Sequence, residues 1–261
     1  MALEKEQYLS GKVALVTGGF AGIGKAIAIA LAERGVTIAV GSRNPGSGAL
    51  SELKAVTEKH FLSRLDVGDL DSIAEFMDSL TEKFGAPDIL VNAAGISTHE
   101  HVCGHDEQSW LDVIDINLSG PFRMIRSCLP AMMERRWGRV INIGSTAATT
   151  ATADHAAYCA SKSGLLGLSR AVALEGASRG VSSVVISPTW VQTEMFNNSM
   201  ATQAQNAGHS IETEIASVID GMPQKRLVQP RELGALAAFL CHDDAIGITM
   251  EDIQVNAGAL W

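Results

Sequence analysis

The chain predicts an α/β fold, a doubly wound parallel sheet of about seven strands with helices on both faces. Three observations carry this. Short apolar runs alternate with helix-periodic segments from one end to the other. The runs are apolar almost throughout rather than at every second residue, as in strands buried on both faces. Glycine-rich and polar clusters follow directly after the strands, at the carboxyl ends where such sheets hold ligands.

Taken in order, residues 12–17 (KVALVT) read as the first strand, 22–34 as a helix of small apolar residues, and 36–41 (VTIAVG) as the second strand. A third strand at 60–65 precedes a helix at 69–84, and a fourth at 88–92 (DILVN) precedes one helical stretch at 107–136. The fifth strand, 138–144 (GRVINIG), leads to a helix at 157–179. The sixth, 181–187 (VSSVVIS), is followed by a helix at 230–241 and the seventh strand at 251–256. With no repeat, low-complexity tract or linker, residues 1–261 are expected to form a single domain. The stretch 193–222 is too long for a plain connection in such a domain, which marks it as functional.

At 46% hydrophobic over 261 residues, the chain can bury one sizeable core. Its net charge of −9 argues against nucleic acid or an acidic membrane surface as partner. The opening MALEKEQYLSGK has no apolar signal core, and no run approaches the roughly 18 apolar residues of a membrane span. Cys103, Cys128, Cys159 and Cys241 show no paired spacing and read as reduced thiols, so a cytoplasmic protein is expected.

The chemistry is read first from Tyr158 and Lys162, four residues apart in YCASK. On a helix they share a face. Bringing a phenol from near 10 to about 7 requires roughly 4 kcal/mol in favour of the phenolate. A cation about 4 Å away supplies about that much at an effective dielectric near 20. The pair can therefore act as a general acid/base. Near the N-terminus TGGFAGIG follows the first strand and opens a helix, so that backbone N–H groups can approach a pyrophosphate.

With TGGFAGIG at 17–24, NAAG at 92–95, Asn117 in DIN, and Ser145 ahead of Tyr158 and Lys162, the chain from about Leu9 onward resembles the short-chain dehydrogenase/reductase family. The region from YCASK onward is similar to 3-hydroxybutyrate dehydrogenases and 3-oxoacyl reductases. The resemblance implies a Rossmann-type sheet and hydride transfer between a nicotinamide cofactor and a secondary alcohol or its ketone. In it Tyr158 is the general acid/base, Lys162 its electrostatic partner, and Ser145 holds the substrate oxygen. Asn117 holds a water and locally adjusts its helix.

The resemblance also implies cofactor contacts from Gly18, Phe20, Gly22, Ile23 and Gly24, from Asp66 and Val67, and from Asn92, Ala94 and Gly95. Tyr158, Lys162, Pro188, Val191 and Thr193 would complete the set, although Thr189 replaces the usual glycine after Pro188. Asp66 alternatively caps the turn before the next helix. After the second strand the sequence is Ser42-Arg43-Asn44, with no carboxylate for a ribose 2′-OH and an arginine suited to a 2′-phosphate. This favours NADP(H), with NAD(H) as the alternative.

Ser97, His99, Ala147, His155, Trp190 and Met195 should border the substrate, and the resemblance implies that 193–222 forms small helices closing over it. The cluster His99, His101, Cys103 and His105 invites a metal, but a solvated loop is the favoured reading and no metal is expected. Two rival functions are a catalytically silent dinucleotide-binding regulator and a lyase or dehalogenase on the same scaffold. The intact polar set opposes the first and the intact glycine turn the second. Relatives pair through the helices in 107–136 and 157–179, commonly as tetramers. A homotetramer is therefore expected, with the stretch ending at Trp261 in a second interface.

Overall fold

A computed structural model describes residues 7–45 and 48–259, so Trp261 and its assigned interface lie outside the described residues. The strands are β1 (Val13–Thr17), β2 (Thr37–Ser42), β3 (His60–Arg64), β4 (Ile89–Asn92), β5 (Gly138–Ile143), β6 (Val181–Pro188) and β7 (Asp252–Val255). They form one sheet in the order β3-β2-β1-β4-β5-β6-β7, every pairing parallel. Register matches Thr17 with Gly41 on one side and with Asn92 on the other, and Asn92 with Asn142. The carboxyl ends of the central strands thus stand level. The order reverses between β1 and β4, and a crevice opens there above both strands.

Alternation within each strand divides the core in two. Ala14, Val16, Ile38, Val91, Ile141 and Ile186 face α1 (Gly22–Ala32) and α9 (Pro230–Leu240), meeting Ile27, Leu31, Leu233 and Ala237. Val13, Leu15, Ala39, Leu90 and Val140 face the other way. They meet Phe76 and Leu80 of α3 (Leu70–Phe84), Met124, Cys128 and Met132 of α5 (Gly120–Arg135), and Val172 of α6 (Ala156–Gly176). Both faces are covered, which is why the strands read as continuous apolar runs.

Two elements differ from the sequence expectation. The residues after β2 hold a short helix, α2 (Gly48–Val56), where no element was expected. The single stretch 107–136 is two helices, α4 (Glu107–Ile114) and α5, joined by a π-helical turn at Asp115–Ser119 that carries Asn117. The segment 193–222, which the resemblance implies to form small helices, holds α7 (Glu194–Ala207) and α8 (Ile211–Gly221). Thr193 and Ser210 cap their first turns, accepting from the N–H groups of Phe196 and Thr213. No helix among the described residues is long and apolar enough to cross a membrane.

Candidate active site

The glycine turn after β1 is shaped by close backbone approach. A Cβ on Gly18 would stand 2.8 Å from the Ala94 Cα, and one on Gly24 only 2.6 Å from the Gly18 carbonyl oxygen. Gly22 has a φ of +52° and abuts the Thr193 side chain. At the α1 N-terminus Ala21 offers no side-chain cap and the first turn holds no acidic residue, leaving its N–H groups to a ligand. A cleft of about 540 Å³ runs beside the turn, lined by Gly18, Gly22, Ile23, Gly24, Ser42, Arg43, Val67, Ala94 and Gly95. This donor-rich, glycine-walled trough fits the phosphates of a dinucleotide, and the cleft leads from them toward Ser97, His99 and Met195.

A second cavity of about 650 Å³ adjoins it, sharing Ile23, Gly95, Ser97, Thr193 and Met195. Ser145, Tyr158 and Lys162 face it together with Ala147, His155, Pro188, Trp190 and Val191. The Ser145 hydroxyl faces the Tyr158 phenol and favours its ionised form. It also accepts from the Ala147 N–H at 3.1 Å. The Lys162 ammonium donates to the Ile143 carbonyl at 2.7 Å and lies 5.6 Å from the Tyr158 ring centre.

Asn117 is fully buried behind them. Its Oδ1 accepts from the Ile96 N–H at 2.9 Å, and its Nδ2 donates to the Ile96 carbonyl at 2.8 Å and to the Ser161 hydroxyl at 3.1 Å. Ser161 in turn donates to the Tyr158 carbonyl at 2.8 Å.

Several sequence-assigned residues stand elsewhere. Phe20 turns behind the glycine loop, beside Val40, Leu53 and Leu62, away from the cleft. Asn44 is exposed and does not line the cleft. The Asp66 carboxylate accepts from the Gly68 N–H at 3.0 Å, while Asp69 is the cap of α3. Asn92 points away from the cleft and donates to Asn142 Oδ1 at 2.9 Å. The turn after β4 is held instead by Thr17, whose hydroxyl accepts from the N–H groups of Ala93 and Ala94 at 3.2 Å each. Thr189 fits its turn without a positive φ.

Thr17 and Ser161 were missed because each meets a partner remote in sequence, Thr17 the turn after β4 and Ser161 the Asn117 amide. The His99–His105 loop disperses its side chains. His99 meets Ser199 of α7 at 3.2 Å and lies edge-on to His155, ring centres 4.1 Å apart. His101 pairs with Asp154 at 3.0 Å, His105 faces Glu100 at 3.6 Å, and Cys103 is exposed.

Burial dominates the electrostatics. It pushes the Tyr158 phenol above its ordinary value, opposed by the Ser145 hydroxyl, with Cys159 adding a smaller upward push. The lowering expected from Lys162 is absent, because its ammonium is anchored on Ile143 and is itself desolvated. Burial takes Lys162 down to about 8.

A folded value below the unfolded one means that the neutral amine is favoured in the fold. The stability this group contributes is present above the ordinary lysine value and is lost as pH falls through about 8. Replacing Lys162 by Met should therefore stabilise the protein at pH 7 by up to about 3 kcal/mol. Between about pH 8 and pH 10 that difference should shrink toward zero. Urea unfolding of both proteins across this range checks it, and a pH-independent difference would contradict it.

Comparison with known proteins agrees with this geometry. The family model described as enoyl-(acyl carrier protein) reductase matches residues 18–259. The 3-oxoacyl-acyl-carrier-protein reductase FabG of Vibrio cholerae is 38% identical over 250 residues, 96% of this chain and 98% of the relative. The D-beta-hydroxybutyrate dehydrogenase of Rhizobium meliloti is 34% identical over 258 residues, 95% of this chain and 98% of the relative. A variant of the actinorhodin polyketide ketoreductase, solved with NADPH, superposes with a TM-score of 0.91 at 31% identity, covering 99% of this chain and 98% of that one. A parallel seven-stranded sheet, a glycine cradle at its switch point and matches spanning nearly the whole chain thus place this protein in the short-chain dehydrogenase/reductase family, as an oxidoreductase acting on CH–OH groups with NAD(P).

Proposed function

We propose that the protein interconverts a secondary alcohol and its ketone, with NADP(H) preferred and Tyr158 as general acid/base. The observation that carries this is the convergence of Ser145 and Tyr158 on one cavity that joins the cleft beside the glycine turn. The nicotinamide cofactor, when bound, supplies or takes up the hydride.

The residues do the rest. Gly18, Gly22 and Gly24 admit the phosphates. Ser145 orients the carbonyl or hydroxyl oxygen by hydrogen bonding. Tyr158, held above its ordinary value, is protonated at neutral pH and can donate to an oxygen gaining negative charge. Lys162 keeps a cation behind the phenol, and Asn117 fixes the backbone between the two. The relatives named for 3-oxoacyl and hydroxybutyrate substrates support a keto or hydroxy compound as the substrate. The α7–α8 segment supplies Met195, Phe196 and Val218 to the cavity wall, and we assign it as the lid.

NADP(H) preference rests on Arg43. It is exposed at the cleft beyond β2, beside Ser42, and no carboxylate among the described residues pairs with it. A homotetramer is supported by the apolar side chains left exposed on the helices that relatives pair through, Leu111, Phe122 and Leu174.

Three measurements test this reading. With a panel of ketones and alcohols followed by cofactor absorbance, Tyr158→Phe should lose about a thousandfold in turnover. Its nucleotide affinity should remain near wild type, and undiminished turnover would refute the assignment. Arg43→Ala should raise the KM for NADPH about tenfold and leave that for NADH unchanged, since a charge-assisted bond to phosphate is removed. Equal effects on both would remove the argument for NADP(H). Light scattering should give a mass near four times 27.5 kDa, and a monomer would exclude the assembly.

A further inference from the structure

The larger cavity has a distinctive charge inventory. Its titratable lining residues, among the described residues, are Tyr158, Lys162 and His155, with no aspartate, glutamate or arginine. Lys162 is committed to the Ile143 carbonyl beside the reacting oxygen. His155 has its Nδ1 on the Ala153 carbonyl at 2.9 Å, and its ring packs edge-on against His99. His99, in the adjoining cleft, is held below the ordinary histidine value by burial and then by His155, with Asp154 opposing.

The opposite wall is apolar. Trp190 and Phe196 pack edge to face at 5.7 Å, and Met195, Val218 and Ala151 continue the surface. Phe196 and Val218 belong to the satellite core beneath α8, so this wall is braced from behind. At its far end Ser217 and Gly221 of α8 line the cavity while remaining exposed, which marks a mouth. A carboxylate drawn along this wall would leave water for a surface with no cation to receive it, at a large desolvation cost. An apolar arm would gain by burial there.

We infer that the substrate is a ketone or alcohol whose arm beyond the reacting carbon is uncharged and apolar, laid along Trp190, Phe196 and Val218 and leaving past Gly221. Short 3-oxo acids with a free carboxylate are discriminated against. This rests on the proposed function for the position of the carbonyl at Ser145 and Tyr158, and on the cavity wall for everything beyond it.

The test is a matched series, 3-oxobutanoate with its methyl and hexyl esters, titrated by calorimetry into protein holding excess NADP⁺, which cannot reduce them. Turnover is followed separately by cofactor absorbance. The hexyl ester should bind at least about tenfold more tightly than the acid, since each buried methylene adds a few-fold. Acid binding equal to or tighter than ester binding, or no measurable ester binding, overturns the inference.

Val218→Arg should narrow the ester-to-acid ratio about tenfold by offering a carboxylate a partner. Gly221→Phe enters space where a Cβ meets nothing within 4 Å, so the fold is not threatened. It should weaken the hexyl ester while sparing the methyl ester, and an unchanged hexyl affinity also overturns the path past α8. Ester binding without reduction of any member of the series would count against the redox reading alone and leave the wall assignment standing.

Discussion

The carboxamide of Asn117 is fully buried, and there both of its ends must find partners. It finds them on one residue, returning both the N–H and the C=O of Ile96, with Ser161 taking the remaining donor contact. An α-helical path from Glu107 to Arg135 would have to carry this amide without interruption. The π-helical turn at Asp115–Ser119 instead breaks the helix at the residue that makes these contacts, the setting in which π-turns recur. Through Ser161 the same amide reaches the backbone of Tyr158. The loop after β4, the break between α4 and α5, and the start of α6 are thus tied at one point. The positions of Gly95, Tyr158 and Lys162 follow from it.

Around that point the protein accepts electrostatic cost. Burying Lys162 with one carbonyl partner disfavours its charge, and burying Tyr158 disfavours the phenolate. Neither would be selected for stability. The sheet nearby handles polarity differently. Asn92 donates to Asn142, Asn142 to Ser169, and Ser169 shares a hydrogen bond with Ser183, all within buried surroundings. This chain joins three strands to α6 with most of its polar atoms satisfied. The contrast separates polar residues that hold the sheet together from those exposed to the cavity.

The strands were legible because a sheet covered on both faces demands continuous apolar runs, and those runs end where glycine or polar residues begin. The glycine turn after β1 was legible because the close approach of the backbone there admits no Cβ. The resemblance implied a local adjustment of the helix at Asn117, but periodicity alone hid the π-turn, since one extra residue per turn barely disturbs it and 107–136 still reads as one amphipathic stretch. Thr17, not Asn92, holds the turn after β4, because strand pairing, not sequence distance, decides which polar group meets it. The caps Thr193 and Ser210 were present in the sequence and could have located α7 and α8. Tyr158 shows the limit of pairwise spacing. Its i, i+4 lysine is real, but burial raises the phenol and lowers the lysine, whose ammonium rests on the Ile143 carbonyl.

One consequence of the α7–α8 arrangement concerns how firmly each part of the molecule is held. α8 has no fully buried side chain and rests on α7 through Ile215, Val218 and Ile219, which are only half-buried. α7, by contrast, buries Phe196, Met200 and Ala204 and is hydrogen-bonded to the loop after β4 through Ser199 and His99. Detaching α8 therefore exposes little apolar surface and breaks none of the sheet. The mouth of the cavity is thus edged by a helix that buries no side chain fully, while α7 in the same wall stays tied to the loop after β4.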